Sequence, residues 1–355
     1  MRPLRSMFDV QCSAPASPRP ALDTPGISAY VRASMNLLTR TLLPLATLAL
    51  CTAQMSAADT VDLKQQWQTG KKYSQSMKML QNSTTQMGPQ KMEQKMTMGM
   101  DMSTTVKKHE DGKQKRLMVK YDRMSMEMDM NGQKMAFDSA KPEADSIGMG
   151  KQLGALVGKE IKMLANEKDE ITGIENFEEF MGAVGGGMAG SPIGEMFTKE
   201  SLTDMVKQGA LRTTPGKPVK VGESWAWDYQ MKMPQIGNVG IKGTYTYKGT
   251  SNHAGVPCAE IAMEGLMNFD VAAAPAGASD ANPAAAMMKA MGMKVTNGKM
   301  SGTIWFDNAL GMARETQMKQ EMEMSMNNPT APDQKLIIPM KQDVTMTLTK
   351  VEDAK

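Results

Sequence analysis

Histidine and cysteine are nearly missing from this chain, with two of the first and three of the second in 355 residues. No Cys/His cluster with metal-ligand spacing can be drawn from so few, and the sequence holds no HExxH, no GxSxG elbow and no P-loop. Carboxylates are plentiful, as at Glu178 and Glu179, yet none is set against another on a recognisable scaffold. The expectation is a protein that is not an enzyme and carries no cofactor. Aromatic residues make up only 5% of the chain. Their scarcity predicts that methionine takes over part of the packing they usually provide, giving a core less rigidly specified than most.

Methionine is what the chain has instead: there are 40. It recurs at every second position in Met96, Met98, Met100 and Met102, in Met124, Met126, Met128 and Met130, and in Met322, Met324 and Met326. The residues between are polar, among them Thr97, Asp101, Ser125, Glu127 and Glu323. Side chains alternate faces along an extended chain, so a period of two marks half-buried β-strands with a thioether-lined inner face and a wet outer one.

The amino terminus reads as processing sequence. Residues 1–34 are a leader rich in Pro, Ala, Ser and Arg without periodicity, disordered or lying upstream of a true start at Met35. Residues 35–57 have the parts of a secretory signal peptide: Arg40 as the charged region, an apolar run over 42–53, and the small residues Ser56, Ala57 and Ala58. That run is too short to span a bilayer, which takes about 20 apolar residues. Lipidation at Cys51 is the less favoured variant, because Leu50 stands where a lipobox wants a small residue.

Losing residues 1–57 removes Arg2, Arg5, Arg19, Arg32 and Arg40 with Asp9 and Asp23. Of 41 basic and 38 acidic residues, 36 of each then remain. With a net charge of zero and no basic cluster, neither nucleic acid nor polybasic docking to a membrane is indicated. Cys12 and Cys51 leave as well, so Cys258 stands alone and no internal disulfide can form; a small buried hydrophobe is its expected role.

Two stretches repeat one plan. In residues 58–143, Gly70 leads into a strand, a long strand runs over 92–106, a turn follows at His109, Glu110, Asp111 and Gly112, and strands run over 115–121 and 124–130. Asn131 and Gly132 then lead to Phe137 and Asp138. In residues 215–355, Gly222 leads into a strand, another runs over 241–248, Asn252 to Gly255 make the turn, and a strand covers 258–264. Asn297 and Gly298 then lead to Phe306 and Asp307. Asn-Gly and Asp-Gly are hairpin signals, so both stretches predict antiparallel meanders related by duplication. His109 and His253 sit at corresponding hairpin tips, where exposure is the default.

Residues 144–214 break the pattern into a short helical middle segment. A helix is expected over 146–159, a hairpin over 160–164 and 170–173, a helix over 176–184 capped by Asn176, and another over 200–209. Gly185, Gly187 and Gly190 satisfy GxGxxG, but they follow a helix where a dinucleotide site needs a strand, so they are read as a flexible loop. Pro215 to Pro218 form a stiff connector, and the Ala/Pro/Gly-rich stretch 271–290 reads as a flexible loop. The fold class is therefore α+β, mainly antiparallel β: two similar β-meander modules forming a large curved sheet or half-barrel.

Several of these segments resemble a family of bacterial secreted proteins of unknown function. They are the run from Lys120 through Asp122, Met124 and Met126 to Met128, the triplet Phe137, Asp138 and Ser139, the run Val221 to Trp225, and the run Leu336 to Val344. The resemblance covers most of residues 60–352. It implies a signal peptide followed by a secreted β-rich domain with Thr/Gln/Lys-rich alternating strands, and it supplies no catalytic residues. Heavy methionine loading is where this chain departs from the usual Val, Ile or Leu.

Three functional readings stand. The first is a secreted or periplasmic envelope protein acting as a binding or interaction module for an apolar small molecule or lipid, since methionine lining tolerates varied ligands. The second is a Cu(I)-binding protein, because thioethers are soft ligands; its candidate residues are Met96, Met98, Met100, Met126, Met128, Met322 and Met324. Against it, these methionines are the only apolar face their strands possess, so burial in the core competes with exposure to metal. The third is a purely structural envelope protein. On any of them the mature chain should begin near Ala58 or Asp59. Intact-mass measurement of the secreted form checks this, and retention of residues 1–57 would refute it.

Overall fold

Alternation is realised strand by strand. β2 (Lys71–Met87), β3 (Gln90–Lys108), β4 (Lys115–Met130), β5 (Gln133–Asp138), β6 (Glu160–Ala165) and β7 (Ile171–Ile174) come from the first part of the chain. β9 (Ser224–Met233), β10 (Gly237–His253), β11 (Val256–Asp270), β12 (Lys294–Asp307), β13 (Met312–Asn328) and β14 (Ala331–Asp353) come from the second. Together they make one open, 12-stranded antiparallel sheet in the order β7-β6-β4-β3-β2-β14-β13-β12-β11-β10-β9, with β5 beside the second half of β4. A separate two-stranded ribbon pairs β1 (Thr60–Val61) with β8 (Val219–Lys220). The computed structural model describes residues 60–87, 90–147, 154–188, 199, 214–233, 237–270, 294–328 and 331–354. The leader and signal peptide, the expected helix over 200–209 and the loop 271–290 lie outside them.

The two meanders share their plan down to single contacts. Gly70 and Gly222, both at positive φ, donate their N–H groups to the carbonyls of Val106 and Tyr247 at 2.8 and 2.7 Å. Phe137 and Phe306 are both buried, and each following aspartate folds back on its own turn. Asp138 accepts the Ala140 N–H at 3.0 Å and Asp307 the Ala309 N–H at 2.9 Å. An arginine forks onto each, but from different places: Arg123 on β4 reaches Asp138, and Arg314 on β13 reaches Asp307. The Arg123 guanidinium holds the Asp138 carboxyl down to about 2.

Several local expectations are corrected. β4 is one strand rather than two, because a bulge that skips Asp122 carries it past the change of phase between Tyr121 and Met124. Asn131 and Gly132 make a two-residue turn with both φ positive, whereas Asn297 and Gly298 form a bulge inside β12. The expected helix over 146–159 stops short of its end: Gly154 is helical, but residues 155–158 are turns with a bridge from Val157 to Tyr121. The helix α1 (Phe177–Met188) continues through Gly185–Gly187 where a loop is expected. Asn176 is spent on β6: its side-chain oxygen accepts the Lys162 N–H at 2.7 Å and its amide donates to Glu160 O at 2.9 Å.

The core shares its packing between the two kinds of side chain. Scarce as they are, Tyr73, Tyr245 and Tyr247, with Phe137, Phe177, Phe180 and Phe306, are all buried, and so are Met124, Met263, Met267, Met300 and Met312. One cluster lies across β10–β12 around Tyr245, Ile261 and Ile304; one packs α1 on β6 and β7; a third gathers Tyr73, Val106, Leu117, Ala165 and Leu348. The segment before β2 straps two of these together. Leu63 is buried in the first cluster, the Gln66 N–H reaches Gly311 O at 2.8 Å, and Trp67 packs edge-on against Tyr73. Of the periodic methionines over 96–102, 124–130 and 322–326, only Met124 is buried; Met130 is 44% exposed and the others are half-buried.

Two predictions follow from backbone and burial. Ala254 holds φ +50 in the two-residue turn between β10 and β11, a conformation that costs an L-residue roughly 1 kcal/mol and suits asparagine better. Ala254→Asn should therefore stabilise by up to about 1 kcal/mol, whereas Gly311→Ala should destabilise by at least about 1–3 kcal/mol. At Gly311, φ is +72 and an added Cβ would lie 2.6 Å from Gln66 Cβ. Urea unfolding of both variants is the check. Under brief peroxide treatment, Met92 and Met130 should oxidise first, Met96, Met98, Met126 and Met128 next, and buried Met263, Met267 and Met300 last. Mass-spectrometric peptide mapping reads the order, and equal rates at all nine would overturn it.

Candidate functional site

Residues paired in register on antiparallel strands point to the same side of a sheet. Following the pairings therefore shows which side chains share the methionine face. Met126 on β4 pairs with Met98 on β3, which pairs with Met79 on β2, then Val344 on β14 and Met318 on β13. A parallel row runs Met124, Met100, Met77, Met346 and Thr316. In the next, Met135, Met128 and Met96 give way to Gln81, Gln342, Gln320 and Met300. These rows form a continuous thioether surface over β4, β3 and β2 that extends on to β14.

Exposure along this face is graded. At one end of the strands Tyr73, Val106 and Leu117 are fully buried; at the other, Met92 and Met130 are exposed at 38% and 44%. Met77, Met79, Met98 and Met100 lie between, half-buried. The three glutamines form a polar band inside the apolar field. Their amides use thioethers as acceptors: Gln320 Nε2 lies 3.5 Å from the sulfurs of both Met300 and Met318, and Gln342 donates to Met79.

Toward β9 the same face becomes aromatic. Trp227 pairs with Gly243, which pairs with Gly265, so the indole lies flat over two strands. A Cβ on Gly243 would come within 2.6 Å of that ring, which is why these positions need glycine. Trp227 stacks on Tyr245 at 5.6 Å, and Trp225 approaches the same ring at 5.7 Å. The Nε1 groups of Trp225 and Trp227 and the Tyr245 hydroxyl are buried without a hydrogen-bond partner among the described residues. Burial pushes the Tyr245 phenol well above its ordinary pKa.

The sheet's opposite face is charged. It carries a cleft of about 800 Å³ lined by Lys242, Glu264, Leu266, Lys299, Lys319 and Glu321. Lys341 pairs with Glu321 at 3.0 Å, an exposed contact worth about 0–1 kcal/mol. A smaller cleft of about 580 Å³ lies where α1 begins, beside Arg116, Lys162, Glu175 and Glu178. There Glu175 is committed: Arg116 forks onto both its oxygens and holds its carboxyl below the usual range, and His109 Nε2 lies 3.1 Å from Oε1. Contrary to expectation, the two hairpin-tip histidines are only 20% and 21% exposed. His253 stacks on Trp305 at 4.4 Å and faces Glu315 at 3.4 Å, repeating the clamp on the second module.

Of the seven methionines singled out from the sequence, the structure gathers five. Met96, Met98, Met100, Met126 and Met128 form adjacent in-register positions on β3 and β4. Met322 and Met324 lie on β13, paired with Met340 and Ile338, three strand spacings from β3, or about 14 Å. Sequence reasoning missed Met77, Met79 and Met346, which extend the surface across β2 and β14. Their own spacing is a weaker signal because Lys78, Leu80 and Thr345 stand between or beside them. Among the described residues no group of three His, Cys, Asp or Glu is placed to hold a metal.

Comparison with solved structures gives distant likenesses. Lipovitellin, whose structure was described for its lipid–protein interactions, is 11% identical over 82% of this chain, with a TM-score of 0.45. The chain spans 26% of lipovitellin's own length. DynF, from the dynemicin biosynthesis pathway of Micromonospora chersina, is 8% identical over 82% of this chain and 86% of its own, with a TM-score of 0.22. A DUF1329 family protein from Desulfovibrio piger is 7% identical over 80% and 86%, with a TM-score of 0.18. At these scores the likenesses establish no shared fold. No curated protein matches the chain. A family model does, over residues 112–313, from the turn before β4 to the start of β13. By that match, across more than half its length, the chain belongs to the family of unknown function DUF6263.

Proposed function

We propose that this protein is a non-enzymatic binding module of the bacterial envelope, secreted or periplasmic, whose methionine face takes up an apolar or lipid-like ligand. One observation carries the reading: a contiguous row of thioethers over β4, β3 and β2 stays half-buried although three buried clusters centred elsewhere already supply the core. Apolar area left in contact with water is stabilised by whatever covers it, at about 25 cal/mol per Å². Methionine suits a ligand of variable shape, because three rotatable bonds let the surface reshape without moving the backbone. Graded exposure gives the face a sealed base at Tyr73, Val106 and Leu117 and an open rim at Met92 and Met130. The envelope location rests on the signal-peptide features of residues 35–57. No helix among the described residues is long and apolar enough to cross a membrane.

A fluorescent fatty acid tests this reading. Saturable uptake by the purified protein, displaced by phospholipid vesicles, is the expected result. Met98→Gln with Met126→Gln should weaken uptake roughly tenfold or more, since two apolar contacts worth a few kcal/mol are replaced by amides. The fold should survive, because Gln81 already occupies the same face beside Met96. Circular dichroism confirms the fold, and unsaturable uptake, or uptake unchanged in the double variant, would refute the assignment.

A further inference from the structure

Beyond ligand uptake, we propose that the same strands hold a site for a soft monovalent cation, Cu(I) or Ag(I), made only of thioether sulfur at Met96, Met98, Met126 and Met128, with Met77 and Met100 adjoining. The argument begins with register. Met96 pairs with Met128 and Met98 with Met126, so their Cβ atoms are about 4.5–5.5 Å apart across the strands. Along each strand, same-face neighbours are separated by about 6.6 Å. Four flexible side chains thus stand at the corners of a small rectangle, within reach of one ion above its centre. Met100 pairs with Met77 at one side, which gives the rectangle further donors.

Three further observations favour a site over mere packing. All six sulfur-bearing side chains are half-buried, neither sealed in a core nor fully solvated, so an ion can enter and still shed water. Val or Ile would give the same apolar alternation with a β-branched side chain better suited to strands; what methionine adds is a donor atom. Neutral thioethers bind soft ions such as Cu(I) and give little to hard ones. No competing carboxylate cluster for a hard cation exists among the described residues. Met79 is left out of the set because its sulfur already accepts from the Gln342 amide.

The test is a Cu(I) titration of the full chain against a chromophoric Cu(I) chelator under reducing conditions. Cys12→Ser, Cys51→Ser and Cys258→Ser are introduced throughout, so that no thiolate contributes. Transfer of Cu(I) from chelator to protein, with an all-sulfur first shell by X-ray absorption, is the expected result. Met98→Leu with Met126→Leu keeps volume and apolarity and so keeps the fold, yet it should weaken Cu(I) binding by at least roughly tenfold. Met322→Leu with Met324→Leu, on β13 away from the rectangle, should leave it unchanged. The site is refuted if the protein takes no Cu(I) from the chelator, or if both Leu pairs lower affinity equally. Uptake of the fluorescent fatty acid is measured in parallel. Cu(I) transfer without fatty-acid uptake keeps the metal site and overturns the ligand reading, and uptake without Cu(I) transfer does the reverse, so the two readings fail separately.

Discussion

Pairing of β14 with β2 is the contact on which the rest of the sheet depends. The last strand returns to lie beside the first long one in register from Met340 opposite Ser83 to Asp353 opposite Lys71. Lys71 and Asp353 close the far end at 2.7 Å. Without this seam the chain would be two separate antiparallel meanders, each with an unpaired edge of the kind that invites aggregation. With it, Met77 meets Met346 and Met79 meets Val344, so two apolar fields become one. The seam joins residues more than 250 positions apart, and such non-local pairing is expected to make folding slow.

The seam also explains the division of labour between aromatic and thioether side chains. Aromatics sit where something covers the sheet: Tyr73 under Trp67 and the strap, Tyr245 under Trp225 and Trp227, and Phe177 and Phe180 on α1 against Ile161 and Ile174. Rigid rings repay close packing, and they are used where packing is complete. The half-buried thioethers of β2, β3 and β4 occupy the middle of the sheet, where cover is incomplete. A flexible apolar surface there loses less by being half-wet than a ring would, and it adjusts when covered. Low aromatic content thus signals concentration as well as replacement, since Met263 and Met300 share the buried cluster around Tyr245.

How far the sequence reveals this follows from the range of each signal. Period-two alternation is local, and it marks β3, β4 and β13 correctly along with their inner faces. Asn131 and Gly132 form the tight turn their identities predict. The same dipeptide at Asn297 and Gly298 makes a bulge, because β13 continues on both sides and Asn297 donates to Glu323 at 2.6 Å; nothing local to the dipeptide separates the outcomes. Continuity of β4 through Asp122 is hidden for a related reason, since a bulge looks like the end of one alternating run and the start of another. Most distant of all is the neighbour relation among strands. Alternation shows that Met98 and Met322 are both inward-facing but not that Met126 is beside Met98 while Met322 is three strands away.

Register also determines how the two proposed activities interact. An apolar chain lying over Met98 and Met126 would cover the sulfurs that an ion needs, and an ion drawn in among those sulfurs would place a positive charge under the apolar chain. Each occupant therefore opposes the other, and linkage requires that the factor by which Cu(I) weakens ligand uptake equal the factor by which ligand weakens Cu(I) binding. The neighbouring thioether rectangles, Met98, Met100, Met124 and Met126 on one side and Met77, Met79, Met98 and Met100 on the other, share Met98 and so do not relieve that competition; on β13, Met322 has Met340 opposite it, but Met324 has Ile338. Competition is accordingly a property of where β3 and β4 pair, and it would vanish only if one of the two occupants lay elsewhere on the face.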